Sequence, residues 1–188
     1  MKNKYLLLLL FFAYLGLTAF SQKKINQEFV LWDSDNKLTI NDFIFKKSDS
    51  AHDFCNAVFI MEYYKAPFSF KTLNKQFTNS MLKSASWIDT ALNIAYQITY
   101  LQTLFDIQEI YTRQWRKAFS EKTSASRQNL KKTHNKVIAD AINRQQQYRA
   151  DIMNAGTASS NPIQAKWEEA IQTELKQLED FSYKKRGY

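Results

Sequence analysis

The chain has 188 residues, with 26 Lys and Arg against 18 Asp and Glu, a formal charge of +8 and one cysteine. This length suits one domain with a proper core rather than two, and a lone thiol excludes an intramolecular disulfide. The basic residues are dispersed apart from Lys23-Lys24 and Lys184-Lys185-Arg186, and the aromatics sit in apolar patterns rather than between cations, so the charge reads as a solvated surface and nucleic acid is not an expected partner.

In chain order, Lys2 and Lys4, the apolar run from Tyr5 to Leu17 and the small-x-small triplet Ala19-Phe20-Ser21 form the three parts of a secretory signal, with cleavage expected before Gln22. The run is shorter than the roughly 20 apolar residues that a bilayer crossing needs, so no stable membrane span is expected after cleavage. Residues 1–21 are thus read as a signal peptide and residues 22–188 as a single exported domain, periplasmic or extracellular. Its formal charge falls from +8 to +6, because Lys2 and Lys4 leave with the signal.

Short extended pieces come next, where aromatic and β-branched residues occur in brief runs between turn formers. Phe29 to Trp32 and Lys37 to Ile40 flank the turn Asp33-Ser34-Asp35-Asn36, and Ala57 to Tyr64 is the strongest strand, rich in Val, Phe, Ile and Tyr. Lys71 to Leu82 fits either strand or helix. Tyr63, Tyr64, Phe68 and Phe70 cluster around Pro67, either as core or as a surface on which a peptide or sugar could stack. Cys55 lies in an apolar-leaning stretch and is expected to be a buried, inert thiol, because neither His52 nor His134 belongs to a recognisable nucleophile motif.

Beyond Ser86 the apolar positions Ile88, Ala91, Ile94, Ile98, Leu101, Leu104, Phe105, Tyr111 and Trp115 recur at three- and four-residue spacing, predicting a long central helix with one broad buried face. Leu130, His134, Val137, Ala141, Tyr148 and Ile152 mark a second, more polar helix. A loop from Asn154 to Asn161 follows. Pro162 then opens a last helix capped by Asn161, with Trp167, Ile171, Leu175 and Leu178 along one side. Strands followed by helices is an α+β order: a small N-terminal mixed or antiparallel sheet packed on a long central helix, with two further helices after it.

Several residues form an ordered set: Trp32; Leu38-Thr39-Ile40-Asn41-Asp42-Phe43; the strand around Phe59; Ser86-Trp87; Phe105-Asp106-Ile107 followed by Glu109, Tyr111 and Arg113; Tyr148; and Gln164-Ala165-Lys166-Trp167. In order and spacing this set resembles the secreted zinc-dependent proteases catalogued as domain-of-unknown-function family 922, over nearly the whole mature chain. The resemblance implies a zincin-like α+β fold. It also implies an HExxH metal helix, and here those positions read Tyr100, Leu101, Gln102, Thr103 and Leu104. Zinc-activated water needs two imidazoles one helical turn apart and a carboxylate beside the first. Tyr100 and Leu104 stand at the histidine positions and Leu101 at the glutamate. The family's downstream histidine falls on Asn154 or Ala155, and an aspartate on Arg149.

The expectation is therefore an exported, catalytically inactive relative of these proteases, with no metal or other cofactor. Its partner is unknown, a peptide or an envelope protein being the candidates. Two alternatives stand beside it: an active hydrolase with an unusual site, drawing for instance on Tyr100 and His134, and a purely structural envelope protein. Asp106 and Glu109 are read as scaffold, with Arg113 four residues after Glu109 as an ion-pair partner.

Overall fold

The computed structural model describes residues 28–48, 54–63, 77–120, 127–155 and 162–183. The expected signal peptide lies outside these residues, as do His52, Tyr64, Pro67, Phe68, Phe70 and Asn161. Within them a four-stranded mixed sheet precedes three helices, an α+β arrangement. The strands are β1 (Phe29–Leu31), β2 (Ile44–Phe45), β3 (Cys55–Tyr63) and β4 (Phe77–Ile88); the helices are α1 (Ile94–Ser120), α2 (Arg127–Ala155) and α3 (Pro162–Gln177).

β4 is the spine of the sheet. β3 runs antiparallel along one side of it, while β1 pairs antiparallel with Ser80–Leu82 and β2 parallel with Trp87 and Ile88 on the other side. The ladder with β3 is interrupted: β3 advances from Asn56 to Val58 while β4 moves from Trp87 back to Leu82, so the intervening β4 residues oppose nothing on β3. Such a bulge leaves backbone groups without ladder partners. Ser86, fully buried, supplies them: its hydroxyl accepts the Val58 N–H at 3.1 Å and donates to the Leu82 carbonyl at 2.7 Å.

The turn into α1 is fixed by side chains that answer backbone groups. Asn93 accepts the Tyr96 N–H at 3.1 Å as an N-cap, and Gln97 bonds both the N–H and the carbonyl of Asp89 at 2.8 Å. The Asp89 carboxylate in turn accepts the N–H groups of Ser48 and Ala91, which hold it below the ordinary carboxylate range. α1 then runs through the middle of the molecule, with β3 and β4 on one side and α2 and α3 on the other. Every residue from Thr103 to Ile110 is buried. The expected single apolar face is therefore only part of the burial, and the polar residues of this helix must find partners inside. Thr103 and Thr112 bond the carbonyls four residues earlier, and Gln108 and the Phe105 carbonyl share the side chain of Asn79.

Two expected elements are corrected. Lys37 to Ile40 is not a strand: the Asp42 carboxylate accepts both the N–H and the hydroxyl of Thr39 at 2.9 Å, folding Ile40–Asp42 into a 3-10 turn, and the Leu38 N–H is taken by Gln102 of α1. Ile88 is the last residue of β4 and Ala91 lies exposed in the turn, so the helical spacing of Ile88 with Ile94 reflects a shared core rather than a shared helix. The undecided stretch resolves into β4 from Phe77 onward, and the second helix extends through Ala155. In α3, Ile171 and Leu175 are buried as expected.

Replacing Ser86 by Ala strands a backbone donor and a backbone acceptor, which costs about 1–3 kcal/mol. Urea unfolding of Ser86→Ala should show the loss as a lowered midpoint at unchanged slope; an unchanged midpoint would mean that the hydroxyl does not hold the bulge.

Candidate functional site

The positions implied as metal ligands belong to the core. Tyr100 is 4% exposed; Leu101 and Leu104 have no exposed surface at all. The Tyr100 ring stacks on Tyr148 of α2 at 5.3 Å and tilts against Phe54 at 5.1 Å. Its hydroxyl accepts a hydrogen bond from Arg149 at 3.1 Å, and burial raises its pKa against the pull of that guanidinium. Tyr100 and Arg149, matched separately to a ligand and an aspartate of the protease pattern, thus touch each other. Asn154 does not join them: it is exposed near the end of α2, about 8 Å further along the helix axis than Arg149.

Other members of the ordered set also converge. Tyr148 donates to Gln164 at 2.5 Å, Gln164 donates to Thr103 at 3.0 Å, and Trp167 meets the Tyr148 ring edge-on at 5.5 Å. Cys55 is buried and its thiol is pushed up to about 12 by desolvation, so a thiolate nucleophile is disfavoured at neutral pH. His134 places Nε2 3.3 Å from the Met61 carbonyl, to which it donates, and its ring lies 4.7 Å from Trp115. Tyr100 and Trp115 fall in separate apolar clusters, so the structure does not bring Tyr100 and His134 together. Among the described residues no group of three or more His, Cys, Asp or Glu side chains could hold a metal ion.

A second centre gathers charge. Asp106 accepts Trp32 Nε1 at 2.6 Å and Gln102 at 2.7 Å on one oxygen; its other oxygen faces Gln172 at 3.2 Å and the Lys37 ammonium at 3.7 Å. Desolvation raises its pKa, opposed by Lys37 and these hydrogen bonds. One turn on, Glu109 forms the expected pair with Arg113 at 3.1 Å and a second one with Arg116 at 2.7 Å. The arginines also tie in distant backbone: Arg113 donates to the Leu175 carbonyl, Arg116 to those of Phe77 and Phe181. Arg116 escaped the sequence reading because nothing in its spacing, seven residues from Glu109, distinguishes it from a surface cation.

Two hollows remain. One, about 720 Å³, lies among the 32–37 loop, Asp42 and Tyr183. The other, about 290 Å³, runs between β3 and α2, floored by Gln108. Its α2 wall is a single helical stripe of Ile138, Ala141, Ile142, Gln145 and Arg149; its β3 wall runs from Ala57 to Met61. The backbone register decides what β3 shows to this groove. Val58 directs its N–H at β4 through Ser86, and the Asn79 carbonyl opposite Met61 is turned to β1, where it accepts the Trp32 N–H. Phe59 and Met61 therefore turn their N–H and C=O groups away from β4. Only the Met61 carbonyl has a partner there among the described residues, His134.

No protein-family model matches the chain, and neither curated proteins nor solved structures give a match.

Two outcomes follow from this geometry. Substituting Tyr100→His, Leu101→Glu and Leu104→His together sets two imidazoles and a carboxylate among packed core side chains, and should lower unfolding free energy by at least about 3 kcal/mol; an unchanged thermal midpoint would place this face at the surface. The folded chain also holds the Asp106 proton more tightly than the unfolded chain does. Its contribution to stability is therefore greatest below the ordinary value of 3.8 and declines as pH rises through the folded value. Urea unfolding of the wild type and Asp106→Asn between about pH 4 and about pH 7 should show the wild type losing ground to the variant as pH rises. A difference independent of pH would contradict the assignment.

Proposed function

We propose that this chain is an exported, catalytically inactive relative of the secreted zinc-dependent proteases that docks extended peptides along the edge of β3 that no described strand pairs. One observation carries the docking: an edge strand whose outward groups, the N–H and C=O of Phe59 and the N–H of Met61, face a preformed groove with an apolar far wall. Peptides add to such edges as a further strand, the main chain supplying affinity and side-chain pockets supplying specificity. Ile142, 47% exposed on the α2 wall, offers apolar surface that an incoming strand would cover. Inactivity is supported by the residues at the implied metal positions, since Leu101 and Leu104 carry no lone pair and are packed into the core beside Tyr100. Export rests on the sequence of residues 1–21. No helix among the described residues is long and apolar enough to cross a membrane.

The purified chain, mixed with a degenerate pool of hexapeptides, should retain a fraction measurable by mass spectrometry, and Ile142→Asp should cut that fraction about tenfold by setting an unpaired charge on the apolar wall. Equal retention by the variant would contradict docking in this groove. Zinc content and casein digestion, with and without chelator, test the inactivity: stoichiometric zinc with chelator-sensitive cleavage would contradict it.

A further inference from the structure

We infer that the groove selects peptides by their free C-terminal carboxylate, received by Arg149; this rests on the docking reading above. Arg149 is the one charged residue among the described residues that line the groove, and it has no carboxylate partner among them. Its hydrogen bond is to a neutral phenol, Tyr100, so among the described residues no carboxylate answers its charge, and its planar fork has further donors to offer an anion.

The position of that cation along the groove sets the polarity of the occupant. At one end His134 meets Met61; at the other Arg149 sits beside Tyr100, which packs on Phe54 just ahead of β3. α2 therefore runs antiparallel to β3, with Arg149 at the strand's N-terminal end. A peptide added antiparallel to β3, the more stable pairing, brings its C-terminal end to that place. Phe54 leans on Tyr100 and Tyr100 stacks on Tyr148, so side chains of the β3 entry, α1 and α2 meet at the phenol that the guanidinium bonds. A chain that ends beside Arg149 presents a carboxylate to a fork-shaped donor. From Met61 to Ala57 the open edge spans roughly 13 Å, the reach of about four extended residues. The occupant is thus the last few residues of a peptide, extended, with apolar side chains toward Ile138 and Ile142 and its terminus on Arg149.

The experiment uses one degenerate hexapeptide pool synthesised twice, as free acids and as C-terminal amides, together with an amide pool carrying one internal aspartate. Each is incubated with the purified chain, with Arg149→Gln, Arg149→Lys and with Ile142→Asp, and retention is read by mass spectrometry. The wild type should retain acids over amides by at least about tenfold, as a charge-assisted bond implies. Arg149→Gln should level the two while still retaining peptide, and Arg149→Lys should restore part of the preference; matching circular dichroism melts would show that the variants fold. Equal retention of acids and amides by the wild type overturns the inference and leaves peptide docking standing. Retention of the internal-aspartate amides at the level of the acids overturns the terminal assignment. No retention of any pool above the Ile142→Asp level removes the docking reading itself, and this inference with it.

Discussion

A carboxylate at the middle of a buried helix is the constraint around which this molecule is arranged. Asp106 sits where α1 is enclosed on all sides, and a carboxylate there is tolerated only if donors converge on it. They come from three separate parts of the chain: Trp32 and Lys37 from the segment after β1, Gln102 from α1 itself and Gln172 from α3. The same Trp32 extends the β1 pairing through its N–H to Asn79 and lies 4.9 Å from the Arg113 guanidinium, which joins the Glu109 cluster one turn further on. Strand, helix and C-terminal helix are thereby held in one register by bonds that converge on one buried carboxylate. Breaking one side of such a network leaves the rest unsatisfied in low dielectric, so its members act together.

Fixing α1 in this way decides which surfaces remain for binding. Because α1 is surrounded, its side chains from Thr103 to Ile110 are buried, with Gln108 at the floor of the groove, and the positions resembling a metal site are spent on packing: two leucines and a tyrosine stacked between Phe54 and Tyr148. Among the described residues a gap is left between α2, which packs on α1 and α3, and the outer edge of β3. In this account the chemistry of a protease would have been exchanged for cohesion of the core, while the adjoining edge, whose hydrogen-bonding capacity belongs to the backbone, is kept. A backbone edge survives changes of side chain that abolish a metal site.

Much of the fold was legible because its signals are local and additive. The apolar period from Ile94 to Trp115, the β-branched run of β3 and Pro162 at the head of α3 each act within a few residues, and each element forms close to where they place it. The Glu109–Arg113 pair was legible for the same reason, being four residues apart on one helix. The misread parts depend on partners distant in sequence. Lys37 to Ile40 has the composition of a strand, but Gln102 and Asp42 take its donors; Ile88 keeps helical spacing with Ile94 only because strand and helix share a core. Trp32 and Asp106 were noted as separate motif residues, and nothing in either predicts a 2.6 Å bond across 74 positions. The groove was invisible for a related cause: it is made of backbone groups and a gap, neither of which has a residue type. Arg149 was noted only as a substituted position, although a cation there is what the groove presents.

The most direct test of the account follows the amides of β3 by hydrogen–deuterium exchange, with and without a peptide retained from the free-acid pool. Pairing of a strand on the open edge should slow exchange at Phe59 and Met61, whose N–H groups point into the groove, and leave Val58, already bonded to Ser86, unchanged. Unaltered exchange at Phe59 and Met61 with protection elsewhere would show that the edge of β3 is not where this protein binds.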